Sequence, residues 1–106
     1  MDLNEYQYKA KQTAIYPKDC GVIYCLLGLG NEAGELQGKY KKFLRDGTDW
    51  ETVRTQLLAE LGDVLWYVAM AAEELDCSMV NLAQMNLEKL NSRQQRGTLG
   101  GSGDDR

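Results

Sequence analysis

Two acidic pairs with i,i+3 spacing, Glu32-Ala33-Gly34-Glu35 and Glu60-Leu61-Gly62-Asp63, are each set among apolar residues. On a helix this spacing puts both carboxylates on one face, about one turn apart. Leu36 and Tyr40 follow the first pair and Val64 and Tyr67 the second. Each pair is therefore read as facing a core and not as a solvated charged face. Four carboxylates held together repel one another unless they share protons or bind cations. The pattern confines the chain to helices that bring two acidic turns together around a hard divalent ion, for which carboxylate oxygens are the preferred donors. A glycine lies inside each pair, and the matching Gly34 and Gly62 predict that the two helices approach closely there.

The periodicity predicts an all-α chain of four helices, a four-helix-bundle-like protomer with no strand. The first covers residues 2–15, with Leu3, Tyr6, Ala10 and Ala14 as its stripe, and stops before Pro17, the one proline. The second runs from Val22 to Arg45 and ends at Asp46-Gly47; Gly28 and Gly30 weaken its first turns, at about 1 kcal/mol each relative to alanine. The third starts from a Thr48-x-x-Glu51 capping box, and Val53, Leu57, Leu61, Val64, Val68, Ala72 and Leu75 recur along it at three- and four-residue steps. Ser78 reads as the N-cap of the fourth and Gly97 as its C-terminal stop. Residues 1–96 form one helical domain, and the glycine-rich 97–106 form a tail, read as either a frayed end or a closing flap.

Composition removes several classes of function. A chain of 106 residues at 43% hydrophobic builds one small core, and part of its apolar helix surface is expected to be covered by another copy. A net charge of −4 leaves no basic surplus for displacing counterions from nucleic acid. There is no apolar run of about 18 residues and no signal peptide, so a soluble, cytoplasmic protein with no membrane partner is expected. With no histidine, neither a Ser-His-Asp triad nor a Glu-x-x-His metal motif is available. Cys20, Cys25 and Cys77 are read as small hydrophobes in a reducing compartment. The run Gly28-Leu29-Gly30-Asn31 has neither a preceding strand nor a following GK[ST], which excludes a phosphate-binding P-loop.

Complementary charge lies on the fourth helix. Asn86, Lys89, Arg93 and Arg96 stay within about 80° of one another around its axis. One amide and three cations suit phosphate oxygens, which arginine grips bidentately; the plainer reading is a set of surface cations favoured by the helix C-terminus. Lys39, one turn beyond Glu35, extends the acidic stripe with a positive charge.

The segments LGLGNEAGELQGKYKKFLRD, ELGDVLWYV and NLEKLNSRQQRG resemble the MazG-like nucleoside triphosphate pyrophosphohydrolases of the all-α pyrophosphohydrolase superfamily. The resemblance covers nearly the whole chain, and the tail is similar to that of short, single-domain members. It implies Mg²⁺, with Mn²⁺ as an alternative, held by Glu32, Glu35, Glu60 and Asp63. It implies substrate contacts at Lys39, Asn86, Lys89 and Arg93. The reaction it implies is cleavage of a (d)NTP to (d)NMP and pyrophosphate by water attack at the α-phosphorus, with Glu32 or Glu35 orienting or deprotonating the water. The base would stack on an aromatic, with Tyr67, Trp66, Tyr6, Tyr16 and Tyr24 all candidates. A homo-oligomer is implied as well, a dimer of dimers before a dimer. Two alternatives stay open. One is narrower substrate choice, as in dUTPase-like or phosphoribosyl-ATP hydrolases; the other is a non-catalytic helical adaptor, which would be expected to lose at least one of the four acids.

Overall fold

The computed structural model describes residues 1–106 and is entirely helical. Its elements are α1 (Leu3–Lys11), a short 3-10 turn (Lys18–Cys20), α2 (Gly21–Asp46), α3 (Trp50–Glu74) and α4 (Met79–Arg96). Side chains start three of the helices: Asp2 accepts from the Glu5 N–H, Asp49 from Thr52 and Ser78 from Asn81. Gly47 (φ 62°) and Gly97 (φ 71°) end α2 and α4 in the left-handed conformation, which glycine adopts without steric cost.

Two boundaries differ from the sequence reading. α1 stops at Lys11 and not at residue 15, because Thr13 and Ala14 turn their N–H groups tightly onto Ala10 and Lys11, and Pro17 disfavours helix at Tyr16. The cap of α3 is Asp49, not Thr48: the carboxylate takes the N–H and hydroxyl of Thr52 at 3.1 and 3.2 Å.

α2 and α3 form a long antiparallel hairpin across the short Gly47–Asp49 turn. Gly21 meets Glu74, Gly28 meets Tyr67, and the Phe43 ring packs tilted against Trp50, so the partners run in opposite order along the two helices. Gly21, Cys25, Gly28 and Glu32 recur at steps of three and four, the spacing of a seam that faces one partner helix. Cys25 is fully buried in that seam. Close approach does occur, but not where the paired glycines predicted. A Cβ on Gly34 or Gly62 would meet nothing within 4 Å, whereas one on Gly28 would strike the Tyr67 ring and one on Gly21 the Glu74 carboxylate. Gly34 and Gly62 lie off the seam.

The core sits at one end of the hairpin, where Ala10 of α1, Cys25, Ala69, Met70, Ala71, Ala72 and Met79 pack together. Gln7 locks this junction. Its amide donates to the carbonyls of Ala69 (3.3 Å) and Cys77 (3.0 Å) and accepts from the Met79 N–H (3.0 Å). One buried amide thus satisfies three backbone groups that would each cost about 1–3 kcal/mol unpaired.

The protomer is more open than a closed four-helix bundle. α1 packs on α3 and α4, α3 touches α4, and α4 makes no contact with α2. The radius of gyration is 16.6 Å, against about 13 Å for a compact chain of this size. No third helix covers the far half of the hairpin, and Leu44, Leu58 and Leu61 there are 67%, 50% and 48% exposed. No helix is long and apolar enough to cross a membrane.

Candidate metal and nucleotide site

The seam of the hairpin carries carboxylates at its middle, where hydrophobes would normally interlock. Glu32 of α2 and Glu60 and Asp63 of α3 each offer one oxygen, all within 4.8 Å of one another. Glu32 and Glu60 are half-buried, and Oε2 of each is buried with no hydrogen-bond partner. Burial pushes the Glu32 carboxyl up to about 7, helped by the charge of Glu35 and by the hydrogen bond that a protonated Glu32 gives Glu60. Two orphaned buried oxygens in an all-oxygen set are the donors a hard cation lacks. Two oxygens on one Mg²⁺ stand at most about 4.2 Å apart, so slight side-chain rotation closes the set around an ion. The residues fit Mg²⁺ or Mn²⁺.

Glu35 stands apart from this trio. It is exposed, accepts from Asn31 at 3.4 Å, and lies close enough to Glu32 to raise its proton affinity. Of the four acids expected from the sequence, the fold gathers three and leaves Glu35 at the rim.

A cleft opens on either side of the acids, and the two differ in chemistry. One is lined by Thr13, Glu32, Asp63, Trp66 and Tyr67, the other by Glu35, Gly38, Lys39, Lys42 and Glu60. The aromatic side is preorganised. Trp66 donates its indole N–H to Thr13 at 2.9 Å and packs edge-on against Tyr67 at 5.0 Å, while Tyr67 sits on the bare backbone of Gly28. The basic side places Lys39 beside Glu35, as the sequence suggested, and adds Lys42, which the sequence reading missed. Its signal was present: Lys42 lies three residues after Lys39 and seven after Glu35, on the same stripe.

The α4 residues are not brought to the acids. Asn86, Lys89 and Arg93 line neither cleft. Lys89 and Arg93 instead bind Asp104 in the tail, at 2.8 and 2.9 Å, and Asn86 is exposed. Among the other aromatics, Tyr24 stacks on Tyr16 at 5.2 Å, and Tyr16 donates to Glu74 at 2.6 Å. Tyr6, Tyr16, Trp66 and Tyr67 all pack against the core, and of these candidate stackers Tyr67 and Trp66 are the two that also line the acidic cleft.

The sequence that carries this acidic cluster and its two clefts matches a known domain. Residues 24–98 match the MazG nucleotide pyrophosphohydrolase domain. The chain belongs to the MazG family. The matched span contains all four acids, both flanking clefts except Thr13, and α4. The chain is also similar to the Gene 37 protein of Mycobacterium phage L5, 48% identical over 114 aligned positions that cover the whole of both chains. No solved structure matches it. In the MazG domain of this chain all four acids are present, and three of them face one another across the seam.

Proposed function

We propose that this MazG domain is a divalent-metal-dependent nucleoside triphosphate pyrophosphohydrolase that cleaves a (d)NTP to the (d)NMP and pyrophosphate. The observation that carries the reading is the pair of orphaned, buried carboxylate oxygens on Glu32 and Glu60 beside Asp63. A non-catalytic adaptor has no use for unsatisfied buried acids, which destabilise the fold in the absence of a cation.

Glu32, Glu60 and Asp63 would hold Mg²⁺, with Glu35 at the rim. When bound, Mg²⁺ supplies charge neutralisation to the triphosphate. The remaining work falls to the chain. Tyr67 and Trp66 present a rigid aromatic wall on which a base stacks, held in place by Thr13 and Gly28. Lys39 and Lys42 stand on the opposite side of the acids, placed to take the charge of the leaving phosphates. Glu35, exposed beside those lysines, is positioned to orient the attacking water and accept its proton. In this order the base, the α-phosphorus and the leaving pyrophosphate run from the aromatic cleft across the acids to the basic one.

Hydrolysis of a dNTP in ¹⁸O-water tests the bond broken. The label is expected in the nucleoside monophosphate, with unlabelled pyrophosphate released. Orthophosphate and a nucleoside diphosphate would instead identify a γ-phosphatase.

The functional unit is read as a homo-oligomer, a dimer of dimers or a dimer. Support comes from the uncovered far half of the hairpin, where Leu36, Tyr40, Leu44 and Leu57 line an apolar groove, and from the expanded radius of gyration. A second copy seated there would also be a source of cations for the acidic site. Sedimentation is expected to give a mass at least twice that of one chain; a single-chain mass at micromolar concentration would remove the assembly.

A further inference from the structure

The glycine-rich tail folds back onto α4 and is held there almost entirely by polar contacts. Asp104 Oδ1 takes Lys89 Nζ at 2.8 Å and Arg93 Nη2 at 2.9 Å, and the Asp104 backbone oxygen takes Arg93 Nη2 at 2.6 Å. Arg96 donates to the Arg106 backbone oxygen at 2.6 Å. Arg106 in turn closes the loop on the carbonyls of Thr98, Leu99 and Gly103, with Gly101 (φ 93°) and Gly103 (φ 86°) making the bends. Leu99, the one large apolar side chain of the tail, is half exposed. The three α4 cations of the sequence stripe are therefore all occupied from within the chain.

We propose that the tail is an internal competitor for phosphate: Asp104 occupies the Lys89–Arg93 cation pair as a stand-in for a phosphate group, and an incoming polyphosphate displaces it. The proposal rests on the α4 stripe of Lys89 and Arg93 as a phosphate-binding pair of its own, apart from the acidic site, whose clefts these residues do not line. The contact is asymmetric. Arg93 is buried with its side chain 7% exposed, while the Asp104 side chain is 76% exposed, so the cation is a fixed part of α4 and the anion arrives from outside. Hydrogen bonds from Lys89 and then Arg93 hold the Asp104 carboxyl below its ordinary range, so it stays anionic and seated at neutral pH. An exposed carboxylate in contact with water is a weak, salt-screened partner. A pyrophosphate or triphosphate brings more charge and more acceptor oxygens to the same two side chains. The tail would thus raise the concentration of polyphosphate needed to occupy α4, and singly charged anions would compete with it poorly.

The test compares the full-length wild-type chain with Asp104→Ala and with Asp105→Ala as a neighbouring acid that makes no ion pair. Inorganic pyrophosphate is titrated into each by calorimetry, and amide exchange of residues 98–106 is followed with and without it. Asp104→Ala is expected to bind pyrophosphate roughly two- to five-fold more tightly, the scale of removing an exposed ion pair. Asp105→Ala should match wild type. In wild type, pyrophosphate should speed exchange in the tail. Unchanged or weaker binding in Asp104→Ala would overturn the proposal, weaker binding showing that Asp104 serves to hold Arg93 in place. Parallel dNTP assays separate the two readings. Tighter pyrophosphate binding without hydrolysis in either chain supports the tail as competitor and removes the pyrophosphohydrolase. Equal hydrolysis and equal pyrophosphate affinity do the reverse.

Discussion

Glu60→Gln is expected to lower turnover by at least about 10²-fold while the helical fold persists, the scale typical of losing one preorganised electrostatic contact. Glu60 sits in the α2–α3 seam with a buried, unpartnered Oε2, within 4.8 Å of ligand oxygens on Glu32 and Asp63. The amide keeps the shape but removes one anionic donor and relieves carboxylate repulsion, so the metal-free variant should melt no lower than wild type. Glu51→Gln, in the exposed first turn of α3, is the matched control and should leave turnover nearly intact. Steady-state rates with saturating Mg²⁺, alongside thermal melts in EDTA, check both arms. Equal losses at the two positions would mean that Glu60 has no special role.

The second large effect is the coupling of stability to pH and metal. Glu32 titrates from an ordinary 4.5 up to about 7 in the folded chain. A carboxyl whose proton affinity rises on folding binds more protons in the native than in the unfolded state, so stability falls as pH increases between the two values. In EDTA the melting temperature should therefore drop as pH rises from about 4.5 through about 7. Mg²⁺ bound there would take the place of the Glu32 proton, so the metal-induced gain should grow across the same window. At a concentration about 100 times its dissociation constant, an ion bound only by the native state adds about 2.7 kcal/mol. Glu32→Gln should flatten the EDTA profile, and activity should disappear in EDTA and return with Mg²⁺ or Mn²⁺. A melting temperature in EDTA that climbs through this window, or a full rate without metal, would contradict the cation site.

Local chemistry written in the sequence carried most of the secondary structure. Ser78, Gly47 and Gly97 mark helix ends because capping and left-handed geometry depend on a few adjacent residues. Asp49 displaced Thr48 as the cap of α3 because both have oxygen side chains one residue apart, and only the backbone path decides between them. The acidic pairs were legible because i,i+3 spacing on an apolar stripe is a local pattern.

Tertiary structure decided which of those residues meet. The antiparallel register of α2 and α3 gathers Glu32, Glu60 and Asp63 and leaves Glu35 outside, a matter of rotation about two helix axes that no spacing within one helix specifies. It placed the close contacts at Gly21 and Gly28 and left Gly34 and Gly62 open, because a glycine records only that a side chain is absent and not what approaches it. Gln7 gave no periodic signal, since its role lies in three backbone groups from distant parts of the chain. The cations of α4 were visible as a stripe, but their partner was decided by the return of the tail. Local periodicity and residue chemistry in the sequence alone determined the four helices and the two acidic pairs, while the MazG family rests on the resemblance of whole segments and on the domain match. The seating of Asp104 on Lys89 and Arg93 depended on long-range geometry, which only the folded chain contains.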